Sequence, residues 1–354
     1  MAEHAAFRRA ALVALVGVAA LLGWSVWPSA TRSPPSDPAP VAIDEPLAPD
    51  ERSLVLVGDI MLARGVARTA ERRQLSFSTF FDATRALIAG ADLAFGNLES
   101  PISDLGERKE GDSTAFRAPP AAVEGLRSAG FDIVSLANNH ALDYGPAALE
   151  DTGRRLTAAG IRTVGVGRPE EVQTPVILDA RGVSVGFLAY CDPGSPKACN
   201  RRDRDQSPRP ARATREVVKR DLLAARPQVD VLVVSVHWGP RTRTSQIKGR
   251  SSWAAPSSIL GADIVAGHHP HVQQPAELYR GGVIFYSMGN FVFDQRSDPQ
   301  LRASRLHRVI VSKDGVRRAA WLPLRSEIDV WRPTPTADTM VAVARVPRQK
   351  NRYG

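Results

Sequence analysis

Cysteine is almost absent. Cys191 and Cys199 are the only two in 354 residues, too few for a disulfide scaffold and a poor zinc site without further thiols. They flank a Pro/Gly/Lys-containing loop and fit either a local disulfide in an oxidising compartment or two free thiols. Aromatic residues make up 6% of the chain and are scattered. With no nucleic-acid motif present, no nucleic-acid partner is expected. No internal repeat of fixed period occurs, which sets repeat architectures aside. Histidine is also scarce. The chain has seven, and three of them fall within Gly267-His268-His269-Pro270-His271.

Lys plus Arg number 46 against 37 Asp plus Glu, a net charge of +9. A basic balance favours anionic partners such as phosphate esters or acidic polymers. Near the N-terminus, Arg8-Arg9 precede an apolar run from Ala10 to Trp27 whose one polar residue is Ser25. As a helix it would be about 27 Å long, close to the thickness of a bilayer core. The preceding charges place the N-terminus in the cytoplasm and the rest of the chain outside. No small-x-small cleavage site follows, so residues 1–27 read as an uncleaved signal anchor, with a cleaved signal peptide as the alternative. Residues 28–50 are proline-rich and read as an extended tether. A folded domain over 51–330 and a basic tail over 331–354 complete the expected organisation.

From Ser53 onward, short apolar strands alternate with helical stretches. Strands are expected at Ser53–Val57, Asp92–Phe95, Asp132–Leu136, Ile161–Val166, Val183–Tyr190, Val229–Val236, Ala262–Ala266 and Val283–Ser287. Helices are expected at Phe80–Ala89, Pro119–Ala129, Pro146–Ala159, Arg212–Ala225 and Trp253–Leu260. A hairpin turned at Asp314-Gly315 closes the series. This order argues an α/β fold with a largely parallel sheet and helices outside it.

Metal-binding residue types recur where those strands end. Asp59 follows the first strand, and Asn97 and Glu99 follow the second. Asn139 and His140 follow the third, His237 follows a later one, and His269 and His271 follow Gly267. Carboxylate, amide and imidazole together suit two borderline metals such as Mn, Fe or Zn better than an all-oxygen Mg or Ca cage. Two adjacent metals can clamp the entering and leaving oxygens of an in-line displacement, and a carboxylate is the natural bridge. A histidine beside them can protonate a leaving group. His140 fits that role, with Asp143 three residues on to orient it. Pro270 fixes φ near −65° and stiffens the loop between its two flanking rings.

Six motifs in order carry a resemblance. They are Gly58-Asp59-Ile60-Met61, Gly96-Asn97-Leu98-Glu99, Asn138-Asn139-His140 with Asp143 and Gly145, His237-Trp238-Gly239, Gly267 to His271, and Ser287-Met288-Gly289-Asn290-Phe291-Val292-Phe293-Asp294. Over roughly residues 53 to 325 the chain resembles the CapA family of poly-γ-glutamate capsule biosynthesis proteins, a branch of the calcineurin-like metallophosphoesterases. The resemblance implies a four-layer α/β/β/α sandwich with an N-terminal transmembrane helix and the metal site at the strand ends. It places Asp59 and His271 on a first metal and Asn139, His237 and His269 on a second. Glu99 becomes the bridge and His140 the acid. Asn97 is either a ligand or a turn former. Asn290 and Asp294 match a motif but carry no mechanistic role. The wider superfamily has histidine where this chain has Met61. A thioether is a poor ligand for hard divalent ions, so the first metal site is expected to be the weaker.

Two functional expectations follow. One is a metal-dependent hydrolase, held outside the cell membrane, acting on a phosphorylated or other anionic substrate. The other is a non-catalytic polymer-binding component working with other subunits of a capsule synthesis complex.

Overall fold

The first strand is apolar on both faces because it is covered on both. β1 (Arg52–Ile60) is buried from Ser53 onward. Leu54 and Leu56 point to one side, and Val55 and Val57 to the other. Such a strand reads as a continuous apolar run. The computed structural model describes residues 40–42, 46–108, 114–168, 173–192, 199, 207–239 and 261–345. The expected membrane anchor, most of the linker and the expected helix at 253–260 lie outside the described residues, as does the end of the tail. Among the described residues, no helix is long and apolar enough to cross a membrane.

After β1 the chain continues through α1 (Arg64–Arg73), β2 (Leu93–Leu98), α2 (Ala122–Ala129), β3 (Ile133–Ser135), α3 (Gly145–Ala158) and β4 (Arg162–Val164). β5 (Val183–Cys191), α4 (Arg215–Ala225), β6 (Val231–His237), β7 (Ile264–His268) and β8 (Gly282–Phe285) follow. The last elements are β9 (Asn290–Val292), β10 (Ala303–Ser312), β11 (Gly315–Ser326) and β12 (Thr339–Arg345).

Two sheets form. In the larger, β1, β2, β3 and β4 run parallel, while β10 lies antiparallel against β1 and carries β11 and β12 beyond it. In the smaller, β5, β6, β7 and β8 run parallel, with antiparallel strands at both edges. The sheets share one apolar layer. Leu54, Leu56 and Phe95 meet Phe187, Val233 and Phe285 there, and Phe95 stacks on Phe187 at 5.8 Å. Burial of each such side chain is worth about 1.5–3 kcal/mol. Val66 of α1, Leu126 of α2 and Leu149 of α3 cover the outer face of the larger sheet. Val218 and Leu222 of α4 cover that of the smaller. The layers therefore run helix, sheet, sheet, helix. Cys191 and Cys199 are joined in a disulfide, with Cα atoms 5.3 Å apart.

Several sequence expectations need correction. Residues 331–345 are not tail. Pro333–Pro335 and β12 both pair with β11, because Met340 turns into the core at 2% exposure. The linker likewise ends earlier than expected, since Pro40–Ala42 adds a strand to β12. The helix expected at 80–89 splits into a 3-10 turn, Phe77–Phe81, and a short helix, Arg85–Ala89. α1 has no counterpart among the expected helices because its arginines mask a narrow apolar stripe of Val66 and Ala70.

His307 sits in the inter-sheet layer opposite Leu56, its ring 4.4 Å from Phe285. Burial, with Arg305 nearby, pushes its pKa well below the usual imidazole range. The unfolded chain thus binds a proton there that the folded chain refuses. Stability is complete above the unfolded value of about 6.5 and falls as pH drops below it, at up to about 1.4 kcal/mol per pH unit. His307→Leu is expected to flatten the fall in thermal midpoint between about pH 6.5 and 5, as read by calorimetry.

Candidate metal centre

The parallel strands of both sheets end at one place. β1 delivers Asp59, β2 delivers Asn97 and the following Glu99, and the turn after β3 delivers Asn138, Asn139 and His140. β6 and β7 deliver His237 and His268, with His269 and His271 just beyond. Catalytic groups of layered α/β folds gather at such carboxyl ends. Asp59 and Glu99 are 0% exposed, and the four histidines of the second sheet are at most 2% exposed.

Backbone geometry forces this convergence. A Cβ on Gly58 would lie 2.0 Å from the Gly289 carbonyl, which accepts the Asp59 N–H at 2.9 Å. Only glycine lets the Ser287–Asp294 segment approach β1 so closely. Asn290 consequently pairs with Asp59. His269 and His271 adopt φ of +93° and +61°. These left-handed conformations cost non-glycine residues about 1–3 kcal/mol each, and such strain clusters at functional sites.

Two ligand groups result. Glu99, His237 and His269 offer atoms that all lie within 4.8 Å of one another, and so do Asp59, Glu99 and His271. Glu99 belongs to both. Asn139 Oδ1 lies 2.6 Å from His237 Nε2, which is itself 2.9 Å from His269 Nδ1. A single imidazole N–H cannot satisfy both neighbours, so this convergence of lone pairs suits a cation. In the other group, His271 Nδ1 is 3.3 Å from Asp59 Oδ2 and 3.0 Å from Asn290 Oδ1. The donor set fits divalent metal at both positions.

The electrostatics favour ligation. Burial alone would raise the Asp59 pKa, but hydrogen bonds from His268 and His271, with their charges, hold it well below the usual carboxylate range. Burial and the neighbouring His269 keep the pKa of His237 well below the usual imidazole range. The ring is therefore neutral, as a ligand must be.

The candidate acid lies beside these groups. His140 Nδ1 is 2.6 Å from Asp143 Oδ2, and its Nε2 is 3.8 Å from Glu99 Oε1. The same Asp143 oxygen accepts the Phe116 N–H at 2.7 Å. The Phe116 ring stacks on His140 with centroids 3.8 Å apart. Arg64 closes over Phe116 at 4.5 Å while paired with Asp294. Phe116 thus fixes both the ring and the carboxylate that orients it.

The eight residues to which the sequence assigns a metal or acid role, Asp59, Glu99, Asn139, His140, Asp143, His237, His269 and His271, lie at this centre. Others complete it. Asn97 donates to Asp59 Oδ1 at 2.9 Å and so aims a ligand. His268 Nδ1 lies 3.1 Å from the same oxygen. Asn290 and Asp294, which lacked a role, contact His271 and Arg64 respectively. Met61 supplies nothing here, since its sulfur accepts the Ala63 N–H.

The family model described as bacterial capsule synthesis protein PGA_cap matches residues 53–295, the stretch that supplies every one of these groups. The chain belongs to this family. The chain is similar to the PGA biosynthesis protein CapA of Bacillus subtilis (strain 168), 30% identical over 289 residues covering 81% of this chain and 73% of that protein. The capsule biosynthesis protein CapA of Bacillus anthracis is 30% identical over 254 residues, 70% of this chain and 61% of its own length. A hypothetical protein from Thermus thermophilus overlays 82% of this chain and 97% of its own at 16% identity and TM-score 0.44, too loose a match to carry more. The family sits within the calcineurin-like metallophosphoesterases.

Proposed function

We propose that this chain is a divalent-metal-dependent hydrolase of capsule or poly-glutamate synthesis, acting outside the cell membrane on a phosphoester or related anionic substrate. One observation carries the reading. A single buried carboxylate, Glu99, belongs to two ligand groups while a carboxylate-oriented histidine faces it. Bound there, a pair of Mn, Fe or Zn ions would supply Lewis acidity to the substrate's oxygens. Asp59 and His271, with Asn290 beside them, would hold one ion, and Asn139, His237 and His269 the other. The protein's own groups supply the remainder. Asp143 accepts from His140 Nδ1 and favours the protonated ring, leaving Nε2 as the nitrogen that gives a proton to a leaving group. Phe116 covers that ring and keeps water from it.

The engagement of Met61 by Ala63 supports a second reading. Lacking a nitrogen ligand at that position, the first ion would bind weakly, and the chain would serve as a polymer-binding subunit without turnover.

The test uses the purified full-length chain. Metal content is measured, and hydrolysis of phosphomonoesters, phosphodiesters and γ-glutamyl polymer is assayed. His269→Ala is expected to lose bound metal along with activity. A wild-type protein without metal would sink both readings, whereas metal and tight polymer binding without turnover would select the second. Cell fractionation with protease accessibility tests the external, anchored location.

A further inference from the structure

Asn290 is held with its amide in one orientation. The residue is 2% exposed. Its Nδ2 donates to Gln295 Oε1 and to the Leu301 carbonyl, each at 3.0 Å. An amide has two N–H donors, so both are committed to these acceptors. Its Oδ1 is thereby aimed into the metal centre, 3.0 Å from His271 Nδ1.

A hydrogen bond from the ring would explain that contact taken alone. Its surroundings favour another reading. The same nitrogen is 3.3 Å from Asp59 Oδ2 and 3.9 Å from Glu99 Oε2. One N–H points at one acceptor, so three oxygens around a single ring nitrogen suit a shared cation better. The spacings agree. With bonds of about 2.1 Å, two ligands lie about 3.0 Å apart at a right angle and about 3.4 Å apart at a tetrahedral one. The separations of His271 Nδ1 from Asn290 and Asp59 fall in that range, and that from Glu99 corresponds to a wider angle. Asp59 is aimed from behind in the same manner. Asn97 and His268 both face its Oδ1, which leaves Oδ2 turned toward His271.

The backbone brings Asn290 to the position where the chain lacks an imidazole. β9 runs parallel to β1 with Asn290 opposite Asp59. The Met61 N–H donates to the Val292 carbonyl at 2.8 Å. The segment that carries Asn290 therefore runs alongside Met61, whose sulfur is engaged by Ala63.

We infer that Asn290 Oδ1 is a direct ligand of the first metal and takes the place of the imidazole missing at Met61. The first position is then rich in oxygen, with Asp59, Glu99 and Asn290 around one ring, His271. The second has two rings, His237 and His269, with Glu99 and Asn139. Carboxylate and carbonyl oxygens suit manganese, and imidazole suits zinc. The first position should therefore discriminate against manganese less than the second does. The inference rests on the metal-binding part of the proposed function and not on turnover.

The test is metal binding to the purified full-length chain. It is read by equilibrium dialysis against manganese and zinc, and by the visible absorption of the cobalt(II)-loaded protein. Asn290→Leu keeps the approximate volume and removes the oxygen. It is expected to retain one ion and to weaken the other by more than about 100-fold, beyond the cost of losing an outer contact. Asn290→Asp keeps an oxygen at that place and is expected to retain both ions. In the wild type, manganese is expected to compete with zinc at one position before the other, and equal competition at both would count against an oxygen-rich first position. The cobalt spectrum separates a ligand from a group that merely orients His271. Loss of a ligand changes the coordination of the ion and shifts its absorption, whereas loss of a hydrogen bond to a ring that stays bound leaves the band in place. If the thermal midpoint shows that Asn290→Leu disturbs folding, Asn290→Asp decides, because exchanging a neutral ligand for a charged one also moves the band. Wild-type affinity for both ions in Asn290→Leu, or an unmoved band in the folded variants at full loading, would overturn the inference and leave the rest of the metal centre standing. A wild-type chain that binds no metal would overturn both.

Discussion

Glu99→Gln is expected to empty both metal positions together, whereas His271→Ala empties one. The difference comes from the sharing of a single carboxylate. Glu99 Oε1 lies 3.7 Å from His237 Nε2, and its Oε2 lies 3.9 Å from His271 Nδ1. The side chain thus presents one oxygen to each ligand group. Two cations placed side by side repel, and a shared anion offsets that repulsion in a site where water is excluded. Glutamine keeps the volume and one oxygen but removes the charge. The repulsion then falls on whichever ion binds second. The expected loss in metal affinity exceeds the about 10–100-fold that loss of a supporting outer contact costs. Metal analysis after dialysis reads it directly, with thermal midpoint as the control for folding. Asn97→Ala provides the scale. It removes the donor to Asp59, together with longer contacts to His237 Nδ1 and Asn138 Nδ2, but none of the residues of the two ligand groups, so its effect should stay within that range. If Glu99→Gln retained as much metal as Asn97→Ala, the shared-carboxylate arrangement would be wrong.

Why the ligands are legible in the sequence and their supports are not has a physical explanation. Asp59, Glu99, Asn139, His237 and His269 each follow a short apolar run, and a polar residue where such a run stops marks a strand end. That signal is local. Phe116 carries no such mark. It reads as an ordinary apolar residue in a loop, and its meaning comes from an N–H that meets Asp143, 27 positions away. His268 is overshadowed because its neighbours His269 and His271 match the ligand spacing, while its own contact with Asp59 spans 209 positions. The C-terminal strands are hidden for a related reason. β12 has a buried Met340 beside partly exposed Val341 and Ala342, a weak alternation that gains its meaning only from pairing with β11. Elements specified by their own periodicity can be read, and those specified by a distant partner cannot.

His140→Ala is expected to lower kcat by about 10²–10⁴-fold, the range for removing a positioned general acid, while bound metal stays at the wild-type level. That separation follows from where the ring sits. His140 Nδ1 is committed to Asp143, and His140 belongs to neither ligand group. Its loss removes a proton donor without removing a ligand. The pH profile supplies an independent sign. In the wild type the acid must carry its proton, so kcat declines as pH rises through the value at which the ring deprotonates. The variant has no proton there to lose, and its alkaline decline should disappear. Asp143→Asn separates orientation from donation. It keeps a side-chain oxygen near Nδ1 but removes the charge that stabilises the protonated ring, so the alkaline decline should move to lower pH and remain visible. Phe116→Leu loosens the ring without touching its proton. It is expected to lower kcat by less than His140→Ala does and to leave the pH profile in place. If His140→Ala kept the alkaline decline, the proton would come from another group. If it lost metal, the ring would be a ligand and Nε2 would have a different partner.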